Sequence, residues 1–226
     1  MPRRKTILAN DQIYHVFNKA IDGKNIFQQK ADLDRALMSF WYYQFISPSI
    51  PLSRYLELPK KVLINYHNHL IESKKSVEVY CYCFMNNHFH LLLKQLSSGG
   101  ISSYLSNIQN SYTRYYNTKN NRKGALLLNQ FKAVRIETDE QLVHVSRYIH
   151  LNPLTGYLIK NKSELQNYPY SSFSEYLGKG NEIYNISNPE FILGSFKNKN
   201  DYKQFVYNRV EYQRELDRIK HLVLED

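Results

Sequence analysis

Two histidines, His88 and His90, stand two positions apart in the stretch CFMNNHFHLLLKQ, which otherwise reads as a buried strand. On a strand, side chains two apart project to one face. His88, His90, Leu92 and Lys94 therefore share a face, and Phe89, Leu91 and Leu93 take the other. Two imidazoles at that spacing can bind one divalent ion, provided another element adds a third donor. At this spacing two exposed strand histidines are commoner than a metal site. The chain repeats it in YHNHL, where His67 and His69 flank a polar residue and read as surface groups.

The third donor has to come from a fixed element. TDEQLVHVSRYIHLN, Thr138 to Asn152, reads as a helix: Thr138 is the N-cap, Asp139 and Glu140 sit in the first turn, and Pro153 ends it. His144, Tyr148 and Asn152 recur every four residues and so share one face of that helix. If this face meets the histidines, Asn152 can offer an amide oxygen to a metal and Tyr148 can reach a group bound there. His144 lies further back, where a core histidine is the alternative. The bland reading of Tyr148 is a half-buried packing residue.

The elements that must position these residues follow from periodicity. QIYHVFNKA alternates as a strand, and ADLDRALMSFWYYQFI carries Leu33, Leu37, Phe40, Trp41 and Phe45 at helical spacing. Three prolines in SPSIPLSRYLELPKK break regular structure, and the segment to Lys75 has no clear period. VEVYCYCF (Val77 to Phe84) and HFHLLLKQ (His88 to Gln95) form an antiparallel hairpin across MNN. Ile101 to Asn117 reads as a helix with Leu105, Ile108 and Tyr112 inward, and LLLNQFKAVRI ends in a strand. Asn200 to Asp226 reads as a charged amphipathic helix. Strands and helices in this order, with a hairpin, indicate an α+β fold with a largely antiparallel sheet.

Composition bounds the partners. The chain has 226 residues and a formal net charge of +10, a balance that points to a polyanion, nucleic acid before anionic membrane. Twenty tyrosines supply flat rings with polar tips, suited to base stacking, although many must be ordinary packing residues. Cations stand beside aromatics in RYYNTKNNRKG (Arg114, Tyr115, Tyr116, Arg122, Lys123), and PRRK adds Arg3, Arg4 and Lys5. A solvated basic turn fits each segment as well. The only cysteines, Cys81 and Cys83, share a strand face and read as reduced packing residues, which excludes a disulfide framework. No apolar run is long enough for a membrane span or signal peptide, so a cytoplasmic protein is expected.

Taken in order, four motifs between Ile13 and Gly178 resemble one family. They are YHVFNKAIDGKNIF, NNHFHLLL, SYTRYYNTKNNRKGALLLNQFKAVRI, and SRYIHLNPLTGYL with the trailing YPYSSFSEYLG. Together they resemble the REP-associated tyrosine transposases of the single-tyrosine HUH superfamily. Leu127 and Gln130 depart from the pattern, where many relatives carry an aromatic residue and an arginine.

The resemblance implies a ferredoxin-like core with the histidine pair on a central strand. It spans residues 1–178 as the transposase domain, with 179–226 as a helical C-terminal extension. It also implies His88, His90 and Asn152 as ligands of Mg²⁺ or Mn²⁺, and Tyr148 as the nucleophile. The implied activity is cleavage and rejoining of single-stranded or hairpin DNA through a 5′-phosphotyrosine, by a monomer or homodimer. The alternative is a domesticated hairpin-binding protein of the same fold without catalysis.

Overall fold

The computed structural model describes residues 6–46, 48–179, 185–208 and 210. The expected contacts Arg3, Arg4 and Lys5 lie outside them, as does most of the expected helix beyond Asn208. Strand β1, Ile13–Lys19, buries Tyr14, Val16 and Asn18 on one face and leaves Ile13, His15 and Phe17 half-buried on the other. Helix α1, Lys30–Tyr42, follows, then two helices in the stretch that lacks a clear period: α2, Leu52–Leu56, and α3, Lys60–Glu72. The hairpin is β2, Val77–Phe84, with β3, His88–Gln95. After it come α4, Gly100–Lys119, and β4, Lys132–Ile136. The remaining helices are α5, Asp139–Thr155; α6, Lys162–Gln166; α7, Phe173–Tyr176; α8, Glu190–Leu193; and α9, Lys199–Tyr207.

The four strands form one sheet in the order β2-β3-β1-β4, and every neighbouring pair is antiparallel. Helices cover both faces. Val16, Phe89, Leu91 and Leu93 meet Phe40 and Trp41 of α1 and Leu105, Ile108 and Tyr112 of α4. Leu92 and Ile136 face the other way, into a second core with Ile149 and Leu151 of α5 and with Phe173, Ile192, Tyr202 and Val206. Strand β2 serves both cores because its register shifts between Val79 and Cys81. The extra residue at a bulge reverses the alternation. Val77, Val79, Tyr82 and Phe84 therefore pack toward α1 and α4, while Cys81 and Cys83 pack toward α5. Both cysteines are free and buried.

Two glycines turn the chain from β3 into α4. Gly99 has φ +68°, and the carbonyl oxygen of Ser76 occupies the space a Cβ on Gly100 would need. Any side chain at 100 must displace that backbone.

Helix α5 starts as expected: the Thr138 hydroxyl accepts a hydrogen bond from the Gln141 N–H at 3.1 Å. It does not end at Asn152. Pro153 lies inside it, and the helix continues to Thr155. Proline lacks an N–H, so only one ladder bond is lost. The next turn is held by Gly156 N–H to the Asn152 carbonyl at 2.8 Å.

The control pair His67 and His69 also differs from expectation. They lie on α3, where residues two apart diverge. His69 is exposed. His67 stacks on Trp41, with ring centroids 5.1 Å apart, and its Nδ1 lies 2.9 Å from the Tyr55 hydroxyl. It is a packing histidine rather than a surface one.

Candidate active site

The β3 pleat puts both imidazoles on the α5 side of the sheet, with ring centroids 5.0 Å apart. His90 is 6% exposed and lies between Phe17 of β1 and Cys83 of β2 in the strand register. His88 sits one pleat nearer the strand end, opposite Lys19.

Neighbouring groups fix which nitrogen of His88 faces outward. The Asn87 amide nitrogen donates to the Gly23 carbonyl at 3.2 Å, which leaves Asn87 Oδ1 as an acceptor. His88 Nδ1 lies 2.6 Å from that oxygen and so donates its N–H to it. The Nε2 lone pair is then the one available to a cation. Burial, reinforced by the Lys19 charge, pulls the His88 pKa from 6.5 to about 4. His88 is therefore neutral near pH 7, the state a metal ligand needs.

Tyr148 comes to the histidines from α5. Its ring stands edge-on to His90, with centroids 5.6 Å apart at 89°. Asn152 follows one turn later and is 7% exposed. Its amide nitrogen donates to the Tyr148 carbonyl at 2.9 Å. That bond leaves Oδ1, the metal-binding atom of an amide, outside it. His144 does not join this row. It points to the surface beside α9, with Nδ1 2.6 Å from an Arg147 nitrogen and its ring 5.7 Å from Phe205.

A third imidazole belongs to the cluster. His15 of β1 places Nε2 3.0 Å from Nδ1 of His90, and its ring lies 5.8 Å from that of Tyr148. The alternation of IYHVFNK puts His15 on the face away from Tyr14 and Val16. Only the register of β1 against β3 reveals that this face is the histidine face. Lys19 opposite His88, and Lys132 opposite Phe17 with its Nζ 5.9 Å from that ring, line the same end of the sheet. Register again is what identifies them.

Among the described residues no group of three or more His, Cys, Asp or Glu side chains is arranged to hold a metal. Of the expected ligands, His88 and His90 carry imidazole donors and Asn152 an amide oxygen.

The basic, aromatic segment lies on the opposite side of the sheet, at the end of α4. Tyr116 is 7% exposed, packed in the core, and offers no ring face to a base. Tyr115 is half-buried, with its hydroxyl donating to Asp32 at 3.0 Å. Arg122 folds back on its own turn: its guanidinium donates to Asn117 Oδ1 at 2.9 Å and to the Ala125 carbonyl at 2.6 Å. Arg114 and Lys123 are exposed. Leu127, where relatives differ, is buried and bridges to Ala20 at the end of β1.

The model of the IS200-like transposase family matches residues 41–152, a span that holds His88, His90, Tyr148 and Asn152. Over that span, just under half of the chain, the sequence is similar to the family. Among solved structures it is similar to a REP-associated tyrosine transposase bound to a REP hairpin, with a TM-score of 0.53 and 12% identity over 83% of this chain and 91% of that one. Its fold is that of the REP-associated tyrosine transposases. No curated protein matches the chain. No helix among the described residues is long and apolar enough to cross a membrane.

Proposed function

We propose that the chain cleaves and rejoins single-stranded DNA next to a hairpin, with Tyr148 as nucleophile. The observation that carries this reading is the seating of the Tyr148 ring against His90, with His88 on the same face and Asn152 one helical turn on. The Tyr148 Oη attacks the scissile phosphorus. A bond forms from Oη to phosphorus, the bond from phosphorus to the 3′ oxygen breaks, and a 5′-phosphotyrosine and a 3′-hydroxyl result. Attack by another 3′-hydroxyl reverses the step and joins strands with no outside energy source.

His88, His90 and Asn152 would hold the divalent ion, Mg²⁺ or Mn²⁺, which supplies charge neutralisation at the scissile phosphate. The packing of Tyr148 between α5 and the sheet restricts where its hydroxyl can lie, which is the orientational part of catalysis. Lys19 and Lys132 supply positive charge at the same end of the sheet, where a strand carrying the scissile phosphate would enter. The solved neighbour is bound to a REP hairpin, which supports hairpin DNA as the substrate class here.

The test is incubation with end-labelled hairpin DNA and Mn²⁺, followed by a denaturing gel. A covalent protein–DNA band is expected. Its absence across several hairpins and both metals, with binding intact, would identify a hairpin-binding protein that keeps the fold without the chemistry.

A further inference from the structure

Across the sheet from the histidines, α1, α2 and α4 enclose a cavity of about 610 Å³. Arg35 of α1 lines it and is poorly satisfied. Among the described residues its buried Nε has no hydrogen-bond partner, and the one hydrogen bond of the guanidinium is a 3.4 Å contact from a terminal nitrogen to Ser111 Oγ. No carboxylate pairs with it among the described residues. The nearby acid Asp32 is taken by Lys119 at 2.6 Å and by the Tyr115 hydroxyl. A half-buried guanidinium without a counter-ion is costly, and such groups are normally paired. Arg114, one turn from Ser111 on α4, also lines the cavity, and Glu57 is the acid among its lining residues. With Lys119 neutralised, two arginines face one carboxylate, so an anion is the missing partner.

The cavity is larger than a phosphate needs and falls in the range of small-molecule sites. Its remaining walls include the ring of Tyr115, over which the Arg35 guanidinium sits at 5.5 Å, together with Leu56 and Pro51. A cationic end beside flat and apolar walls suits a phosphate attached to a sugar and a base.

We propose that this cavity binds a nucleotide 5′-phosphate, with the phosphate between Arg35 and Arg114 and the base against Tyr115 and Leu56. The same chemistry is offered by a free nucleotide and by the 5′-phosphorylated end of a DNA strand. The site is separate from Tyr148 and the histidines and does not rest on the catalytic reading.

The arginine Nε–H resonances of the ¹⁵N-labelled full chain provide the test, with the Arg35 signal assigned by its loss in Arg35→Lys. Thymidine 5′-monophosphate should shift that signal, and thymidine should not. Arg35→Gln should weaken binding of the monophosphate roughly ten- to a hundredfold, as loss of a charge-assisted hydrogen bond implies. Arg114→Gln, at an exposed position where folding is not at stake, should weaken it as well. A 5′-phosphorylated hexathymidylate that displaces the monophosphate, when the unphosphorylated form does not, assigns the site to a DNA end. Binding of the monophosphate alone assigns it to a free nucleotide. No shift with the monophosphate at millimolar concentration, or an equal shift with thymidine, overturns the proposal. Tyr148→Phe should leave the titration unchanged, so failure of the cleavage reaction and failure of this site are read separately.

Discussion

Nε2 of His15 lies 3.0 Å from Nδ1 of His90, so the inner nitrogen of one candidate ligand is held by a second imidazole on the neighbouring strand. That contact ties the two rings together and constrains the plane of the His90 ring. Partners of this kind orient metal ligands, and their loss costs about 10- to 100-fold in metal affinity or activity. His15→Phe should therefore weaken Mn²⁺ binding by that factor, measured by electron paramagnetic resonance, while hairpin binding without metal stays unchanged. His15→Gln, which keeps a polar group at that position, should recover part of the loss. Unchanged Mn²⁺ affinity in His15→Phe would reduce His15 to a packing residue.

The His150 ring predicts how stability responds to acid. Tyr202 donates its hydroxyl hydrogen to Ser146 Oγ at 3.0 Å, so it accepts from His150 Nδ1–H at 2.7 Å. The Ser172 hydroxyl then donates to His150 Nε2 at 2.8 Å. The network ties α5 to α9 and to the chain beside β2, and it suits a neutral ring. Burial lowers the His150 pKa from 6.5 to about 3. Between those values the unfolded chain binds more protons than the folded one, so stability rises with pH through this window. It is complete above about pH 6.5 and lost as the pH falls toward 3, and His88, lowered to about 4, acts in the same direction. The His150 contribution is on the order of a few kcal/mol. Melting temperature followed from neutral to acid pH should fall steeply in the unmodified protein. His150→Gln should start lower and fall less. An equal slope in the variant would place the acid sensitivity elsewhere.

How much of this was legible depended on whether a feature is local. The bounds of β2 and β3 follow from β-branched and aromatic runs flanking MNN, and the Thr138 cap follows from residue type; both are one-segment signals. The shared face of His88 and His90 is also local, because the pleat alone sets it. His15 is not legible in this way, because its face is visible in the alternation but its neighbour is not. Helix α3 was unreadable because its apolar side is thin: Val62, Ile64 and Ile71 are exposed and only Leu70 is buried. Tyr116 and Arg122, expected as DNA contacts, are engaged within the fold for a related reason. A tyrosine in a basic stretch looks available until the helix phase turns it into the core, and an arginine in a turn looks free until the turn's own carbonyls claim it.

The turn after α4 therefore separates two cations that look alike in sequence. Arg122 closes the turn through Asn117, Gly124 and Ala125. Lys123 is exposed. Lys123→Ala should reduce the salt slope of hairpin binding by about one unit, as loss of one phosphate contact does. Arg122→Ala should instead cost about 1–3 kcal/mol of stability through its lost hydrogen bonds. Salt titrations of hairpin affinity and thermal melts on the same preparations check both. A slope that falls only with Arg122→Ala would reverse the assignment.

The sharpest prediction separates nucleophile from scaffold among many tyrosines. Tyr112, Tyr115 and Tyr116 also lie on a helix after the histidine pair, but α4 sits on the other face of the sheet. The Tyr112 hydroxyl donates to the Ile26 carbonyl at 2.6 Å and that of Tyr115 to Asp32 at 3.0 Å, so both have structural partners. Tyr148 alone of these four touches the histidine face, through His90 and His15. Phenylalanine at 148 keeps the ring and its edge-on contacts and removes one oxygen. Tyr148→Phe should therefore abolish the covalent DNA band while changing the melting temperature and hairpin affinity little. His88→Ala should also abolish the band, through lost metal affinity, and excess Mn²⁺ should restore part of it, whereas Tyr148→Phe should not respond to metal. Denaturing gels across a Mn²⁺ series read both variants together. A band that persists in Tyr148→Phe and disappears in Tyr115→Phe would move the nucleophile to α4, and with it the reacting strand to the opposite face of the sheet.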